Sequence, residues 1–124
     1  MARLRERMAA IWAEEVPAVV LGDFNVIPTP KDAKNPAAWL TDALFLPQTR
    51  ARFRELLTLG LTDALRACDD SPGLYTFWDY VGGAWQRDHG IRIDHLLLSP
   101  QAASRLITCR IDKKIRGLEK PSDH

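Results

Sequence analysis

Five polar residues of this chain have the types that metal-assisted hydrolysis needs: Asp23, Asn25, Asp94, Asp123 and His124. Asp23 and Asn25 sit in Gly-Asp-Phe-Asn, directly after the apolar run Ala18–Leu21. A carboxylate there can orient or deprotonate a water, and an amide can donate to an oxyanion. Two residues apart at the end of a strand, both side chains are predicted to share one side. The competing reading is a plain turn, since Gly, Asp and Asn are all turn residues. Asp94 falls in Arg-Ile-Asp-His, just before three leucines. A carboxylate in an apolar setting needs a partner. An imidazole is a natural one, because the pair fixes the tautomer and raises the ring's basicity. The alternative for Asp94 is an ion pair with Arg92 on an exposed face. His95 is predicted to point to the opposite side. Asp123 and His124, adjacent at the last two positions, are candidates to place one group on a metal and the other on a phosphate.

The elements that must position these residues are readable in part. Leu4, Met8, Ile11 and Trp12 recur at helical spacing, which predicts a helix over 2–15 ending at Pro17. The wholly apolar run 18–21 predicts a strand buried on both faces. Residues 26–46 are proline-interrupted and predict a long loop, with Asn35-Pro36 as a helix cap and first position. A helix is expected over 49–59, stopped by Gly60, and a short one over 61–67. Aromatic residues 74–80 and the run 91–99 read as strands. A short helix is expected from Pro100, and 107–115 alternates as a further strand, followed by loop. Trp78 is expected in the core. Helix, strand, helices and then strands predict an α/β or α+β layered architecture.

Composition narrows the classes. At 124 residues the chain is one domain or less, and a hydrophobic content of 46% supports a core. A net charge of +1 gives no bulk case for nucleic acid or membrane. Residues 105–124 nonetheless carry six Lys/Arg against three acids, a local basic surface suited to a polyanion or simply to solvent. Cys68 and Cys109 are too few and too far apart for a metal motif, and free thiols indicate a reducing compartment. With no signal peptide or membrane-length apolar run, a cytoplasmic location is expected.

Taken in order, Gly-Asp-Phe-Asn at 22–25, Asn35-Pro36 with Trp39, Leu-Gly-Leu-Thr-Asp-Ala at 59–64, Tyr-Thr-Phe-Trp-Asp-Tyr at 75–80, Gly-Ile-Arg-Ile-Asp-His-Leu-Leu-Leu-Ser at 90–99 and Ser-Asp-His at 122–124 closely resemble the exonuclease III family. These are bacterial abasic-site endonucleases and 3′ exonucleases of the endonuclease/exonuclease/phosphatase superfamily. The resemblance runs from about Pro17 to His124. It implies a DNase I-like four-layer αββα sandwich, of which residues 1–124 are expected to form the C-terminal half. It implies Asp23 as the carboxylate that handles the attacking water or the leaving oxygen, and Asn25 as a partner of the scissile phosphate. Asp94 would orient His124, and His124 would bind the phosphate. Asp123, with Asp23 and Asn25, would lie at a Mg2+ site, with Mn2+ as a substitute. Phe77, Ile91 and Ile93 would line an abasic-sugar pocket. The implied partner is double-stranded DNA with abasic sites or 3′ ends, with no membrane and no obligate protein partner.

The chain departs from the family pattern. The family's N-terminal half supplies an asparagine, the principal metal-binding glutamate and a catalytic tyrosine, and none is assignable here. The apolar strand that usually follows Ser-Asp-His is also missing. The expectation is therefore a partial enzyme, nearly inactive alone, with exposed apolar surface where a second sheet would pack. Two other readings compete: a phosphatase or phosphodiesterase of the same superfamily acting on lipid or inositol phosphates, and a non-catalytic short module that dimerises to complete its sheet.

Overall fold

A computed structural model describes residues 2–124. The elements run α1 (Ala2–Ala13), β1 (Val19–Asp23), three 3-10 turns, α2 (Pro47–Thr58), β2 (Thr62–Asp63), α3 (Ala64–Cys68), β3 (Asp94–Leu98), α4 (Pro100–Ala103) and a last 3-10 turn at Lys113–Gly117. The strands form one antiparallel sheet in the order β1-β3-β2. Val19 stands opposite Leu98 and Asp23 opposite Asp94, so the two carboxylates of the central pairing face each other across the strands.

The core has two parts. Met8 of α1, Phe53 and Leu56 of α2, Leu61, Val26 and Leu97 of β3 form the first, with Leu4 and Ile11 packed against it. This is the apolar face that the α1 periodicity predicts. Complete burial of a side chain such as Leu97 or Phe53 contributes about 1.5–3 kcal/mol. The second part gathers Ile27, Ala33, Phe45, Ile91 and Ile93 under the loops. Gly60 stops α2 at φ +110, and any Cβ there would collide with the Trp12 indole, so glycine is required twice over.

Several expectations need correction. β1 is not buried on both faces: Val19 is 50% and Leu21 70% exposed. It pairs only with β3, at the sheet edge, and the helices cover one face only. Residues 107–115 do not form a strand; Ile107 is 94% exposed, and the alternating pattern finds no neighbour to pair with. Residues 74–80 contribute only a bridge from Phe77 to Ile91, and regular β3 begins at Asp94 rather than Ile91. The expected helix over 61–67 instead places Leu61 in the core and Thr62–Asp63 on β3 before turning helical at Ala64. Among the described residues there is one small sheet, not two.

A buried ionic network ties the loops to the sheet. Asp32, fully buried, accepts from Arg92 Nε at 2.7 Å, Arg66 Nη2 at 2.5 Å and Thr29 Oγ1 at 2.8 Å. Arg92 Nη1 also reaches Asp63 at 3.0 Å and His95 Nδ1 at 3.2 Å. His95 Nε2 lies 2.9 Å from the Val26 carbonyl. A guanidinium only donates and a carbonyl only accepts, so the ring is the neutral tautomer with its proton on Nε2. Burial works to raise the Asp32 carboxyl, but hydrogen bonds and charge from Arg92, then Arg66 and Thr29, hold it below the usual carboxylate range. Removing one partner leaves the other's charge under-compensated in the interior, a cost that removing both avoids, although Arg66 and Asp63 each still lose a contact. Arg92→Met is therefore expected to lose about 3–5 kcal/mol in urea denaturation, and Arg92→Met combined with Asp32→Leu to lose less than the sum of the two single changes. Additive losses would show that the network is not coupled.

Candidate active site

The site is built where β1 and β3 end side by side. Asp23 is the last residue of β1, and Asp94 the first of β3. Like charges directly opposite on neighbouring strands repel. His124 relieves this: its Nδ1 lies 2.7 Å from Asp94 Oδ2, and its Nε2 lies 3.8 Å from Asp23 Oδ2. One oxygen or nitrogen from each of Asp23, Asp94 and His124 lies within 4.8 Å of the others. The Arg92 alternative for Asp94 is excluded, because Arg92 points inward to Asp32 and Asp63.

Each group is held by its own backbone device. Thr76 Oγ1 accepts from both Ile93 N and Asp94 N at 3.1 Å, pinning the start of β3. After Asp23 the strand breaks, and the Asn25 N–H donates to Asp23 Oδ1 at 2.8 Å, an Asx turn. Asn25 adopts φ +51, so the extended geometry expected for Asp23 and Asn25 does not hold and the segment is a turn. The Asn25 amide itself is exposed and has no side-chain hydrogen bond among the described residues. The aromatic segment 75–80 fastens the other side. Trp78 N donates to the Asp123 carbonyl at 2.9 Å, and the Tyr80 hydroxyl to the Pro121 carbonyl at 2.7 Å. Arg116 Nη2 donates to the Trp78 carbonyl at 2.8 Å, and Trp78 itself is core, with its indole N–H on Asp88. The Phe77 ring meets His124 edge-on, with centroids 5.3 Å apart.

Asp123 is half-buried beside His124 but stands outside the three-residue donor cluster. Of the three expected pocket residues, Phe77 borders the site, while Ile91 and Ile93 are 2% and 4% exposed and lie in the core that Phe77 packs on. Thr76, Asp32 and Arg92 carry site geometry that sequence reasoning did not assign to them. Their signal was weak, since a threonine in an aromatic run and an Asp or Arg in a loop have many ordinary explanations.

The electrostatics favour an imidazolium at His124. Burial works to lower its pKa, but the hydrogen bond and charge of Asp94, then the charges of Asp23 and Asp123, outweigh it and raise it above 6.5. Stability from this pairing is therefore fully present below pH 6.5 and is lost as pH rises through the raised value. His95 behaves oppositely: burial first, then the Arg92 charge, hold it down at about 4. One Asp23 oxygen accepts no hydrogen bond, so a divalent ion held by one or two carboxylates could be accommodated there.

The chain belongs to the Endonuclease/Exonuclease/phosphatase family, whose model matches residues 13–124. It is similar to an exodeoxyribonuclease III of Haemophilus influenzae, 34% identical over 87% of this chain and 43% of that protein. It is 38% identical to the DNA repair nuclease APEX1 of Danio rerio, over 87% of this chain and 34% of the relative. The fold matches a 3′-5′ exonuclease from Neisseria meningitidis at TM-score 0.94 and 41% identity, covering 99% of this chain and 48% of that one. An AP endonuclease from Archaeoglobus fulgidus matches at TM-score 0.86 and 37% identity, over 98% of this chain and 49% of that one. The chain thus spans less than half the length of these relatives, and its small antiparallel sheet is part of a DNase I-like fold.

An NMR titration of the ring protons checks the site. His124 is expected to titrate above 6.5 and to fall in Asp94→Asn, while His95 stays neutral down to about pH 4. A His124 midpoint at or below 6.5 would mean that the Asp94 contact does not form in solution.

Proposed function

We propose that this chain carries the carboxylate and imidazole part of a magnesium-dependent DNA repair nuclease, which hydrolyses phosphodiester bonds at abasic sites and 3′ ends of duplex DNA. The observation that carries the reading is the row Asp94–His124–Asp23, hydrogen-bonded at one end and open at the other. Asp94 accepts a hydrogen bond from Nδ1–H and fixes the ring, so Nε2–H is directed outward to donate to a phosphate oxygen. Asp23, with one carboxylate oxygen free of hydrogen bonds, accepts the proton of the attacking water. Asn25, with its amide exposed beside Asp23, donates to a phosphate oxygen. Phe77 forms the aromatic wall against which a base-free sugar would rest, supported from below by Ile91 and Ile93. Asp23, with Asn25 in the same turn and Asp123 beside His124, would hold the divalent ion, which would neutralise charge on the phosphate and leaving oxygen when bound.

Support for DNA as the substrate comes from the relatives. One structure, 40% identical at TM-score 0.95, is a Neisseria 3′ phosphatase bound to a product DNA hairpin. The reaction class needs no covalent nucleophile. Among the described residues no helix is long and apolar enough to cross a membrane.

The test is incision of a duplex holding a synthetic abasic analogue, with protein in excess, in magnesium or manganese and in EDTA. Slow, EDTA-sensitive incision is expected, lowered about 10²-fold or more in His124→Ala and in Asp23→Asn. Metal-dependent release of phosphate from a lipid or inositol phosphate, with no incision of the duplex, would overturn the reading.

A further inference from the structure

A second concave site lies apart from the Asp23–His124 row, on the flank of α2. Arg50, Phe53, Arg54 and Leu57 recur at helical spacing and form one wall of a cleft of about 390 Å³. The opposite wall is the Pro28–Lys31 turn, with Arg66 of α3 at the end. Five basic side chains line it, namely Lys31, Arg50, Arg54, Arg66 and Arg92, against two acidic ones, Asp63 and Asp70.

Both acids are already engaged. Asp70 takes Lys31 at 2.5 Å, and Asp63 takes Arg92 at 3.0 Å. Arg66 spends one end of its guanidinium on Asp32 and the other on the Ser71 carbonyl, both at 2.5 Å, and its Nε is buried with no partner. Arg50 lies over the Phe45 ring at 4.4 Å, and its Nε is likewise buried and unpartnered. Among the described residues no carboxylate pairs with Arg50 or Arg54. Buried donors without acceptors are costly. Two guanidiniums one helical turn apart, over an apolar floor of Phe53 and Leu57, match the fork geometry by which arginine holds phosphate oxygens.

We propose that this cleft is a binding site for a phosphate-type oxyanion, held by the guanidiniums of Arg50 and Arg54. The site stands independently of the hydrolase reading, because it shares no residue with the Asp23–His124 row. The same chemistry has two sources: a backbone phosphate of duplex DNA, or a free phosphate monoester or inorganic phosphate.

The experiment has two arms on the full chain in EDTA, which silences metal-dependent cleavage. The first follows the arginine Nε–H NMR signals on addition of inorganic phosphate, with chloride at equal ionic strength as control. The second measures affinity for an undamaged duplex across a salt series. The site predicts phosphate-specific shifts of the Arg50 and Arg54 signals, with the Arg50 shift lost in Arg54→Gln and no arginine response to phosphate left in Arg50→Gln/Arg54→Gln. A DNA source adds a loss in duplex affinity of about 10-fold in that variant, with a salt slope shallower by about one to two. Unchanged duplex affinity together with the phosphate shifts assigns the free anion. Arg54→Gln alone, at an exposed position, repeats both arms should the double variant fail to fold. Arginine signals that respond equally to chloride and phosphate, with duplex affinity unchanged in the variants, would overturn the proposal.

Discussion

The Arg92–Asp32 pair is the constraint on which the rest of this chain depends. It joins the first 3-10 turn after β1 to the residues leading into β3, across sixty positions of sequence. Arg92 also reaches Asp63 at the start of α3, and His95 at the second position of β3. Through His95 the network holds the Val26 carbonyl, one residue beyond Asn25. The turn that carries Asp23 and Asn25 is thereby fixed to the strand that carries Asp94. Such a pair is expensive to bury, and hydrophobic replacements of equal volume are often as stable. What it supplies here is register: an apolar contact tolerates sliding, whereas a guanidinium with three acceptors at set distances does not.

The same logic explains the site's own arrangement. Two carboxylates face each other across antiparallel strands, where they repel. The imidazole of His124 bridges them, so its protonated form is favoured by the fold and in turn steadies the strand ends. His124 depends on the aromatic segment for its place. Trp78 and Tyr80 bond the carbonyls of Asp123 and Pro121, and Arg116 locks the Trp78 carbonyl from behind. An imidazole on a loop keeps its distance to Asp94 only with this kind of fastening.

The open side of the sheet is the physical counterpart of the chain's partial span. Val19 and Leu21 stand out from β1, and Leu21 and Leu96 border a cleft of about 310 Å³ that runs on to Cys109 and Ile111. A strand written as four consecutive apolar residues is suited to cover on both faces, and only one is covered here. The relatives are twice or more the length of the stretch they share with this chain, which accords with a pattern composed for a larger sandwich.

The sequence by itself determined the family and much of the local structure. Ordered motifs named the carboxylates, the amide and the imidazole, and helical periodicity placed α1 and α2, because those signals are encoded in neighbouring residues. The family followed from the same motifs. Tertiary structure alone decided what each strand-like pattern became: 107–115 found no partner and stayed irregular, and β1 lay at an edge. It also decided that Arg92 faces inward rather than toward Asp94, that Asn25 turns left-handed, and that Ile91 and Ile93 lie beneath Phe77. These outcomes depend on residues tens of positions away. A strand needs a neighbour, and a buried charge needs a counter-charge, and neither requirement can be met within a local window of sequence.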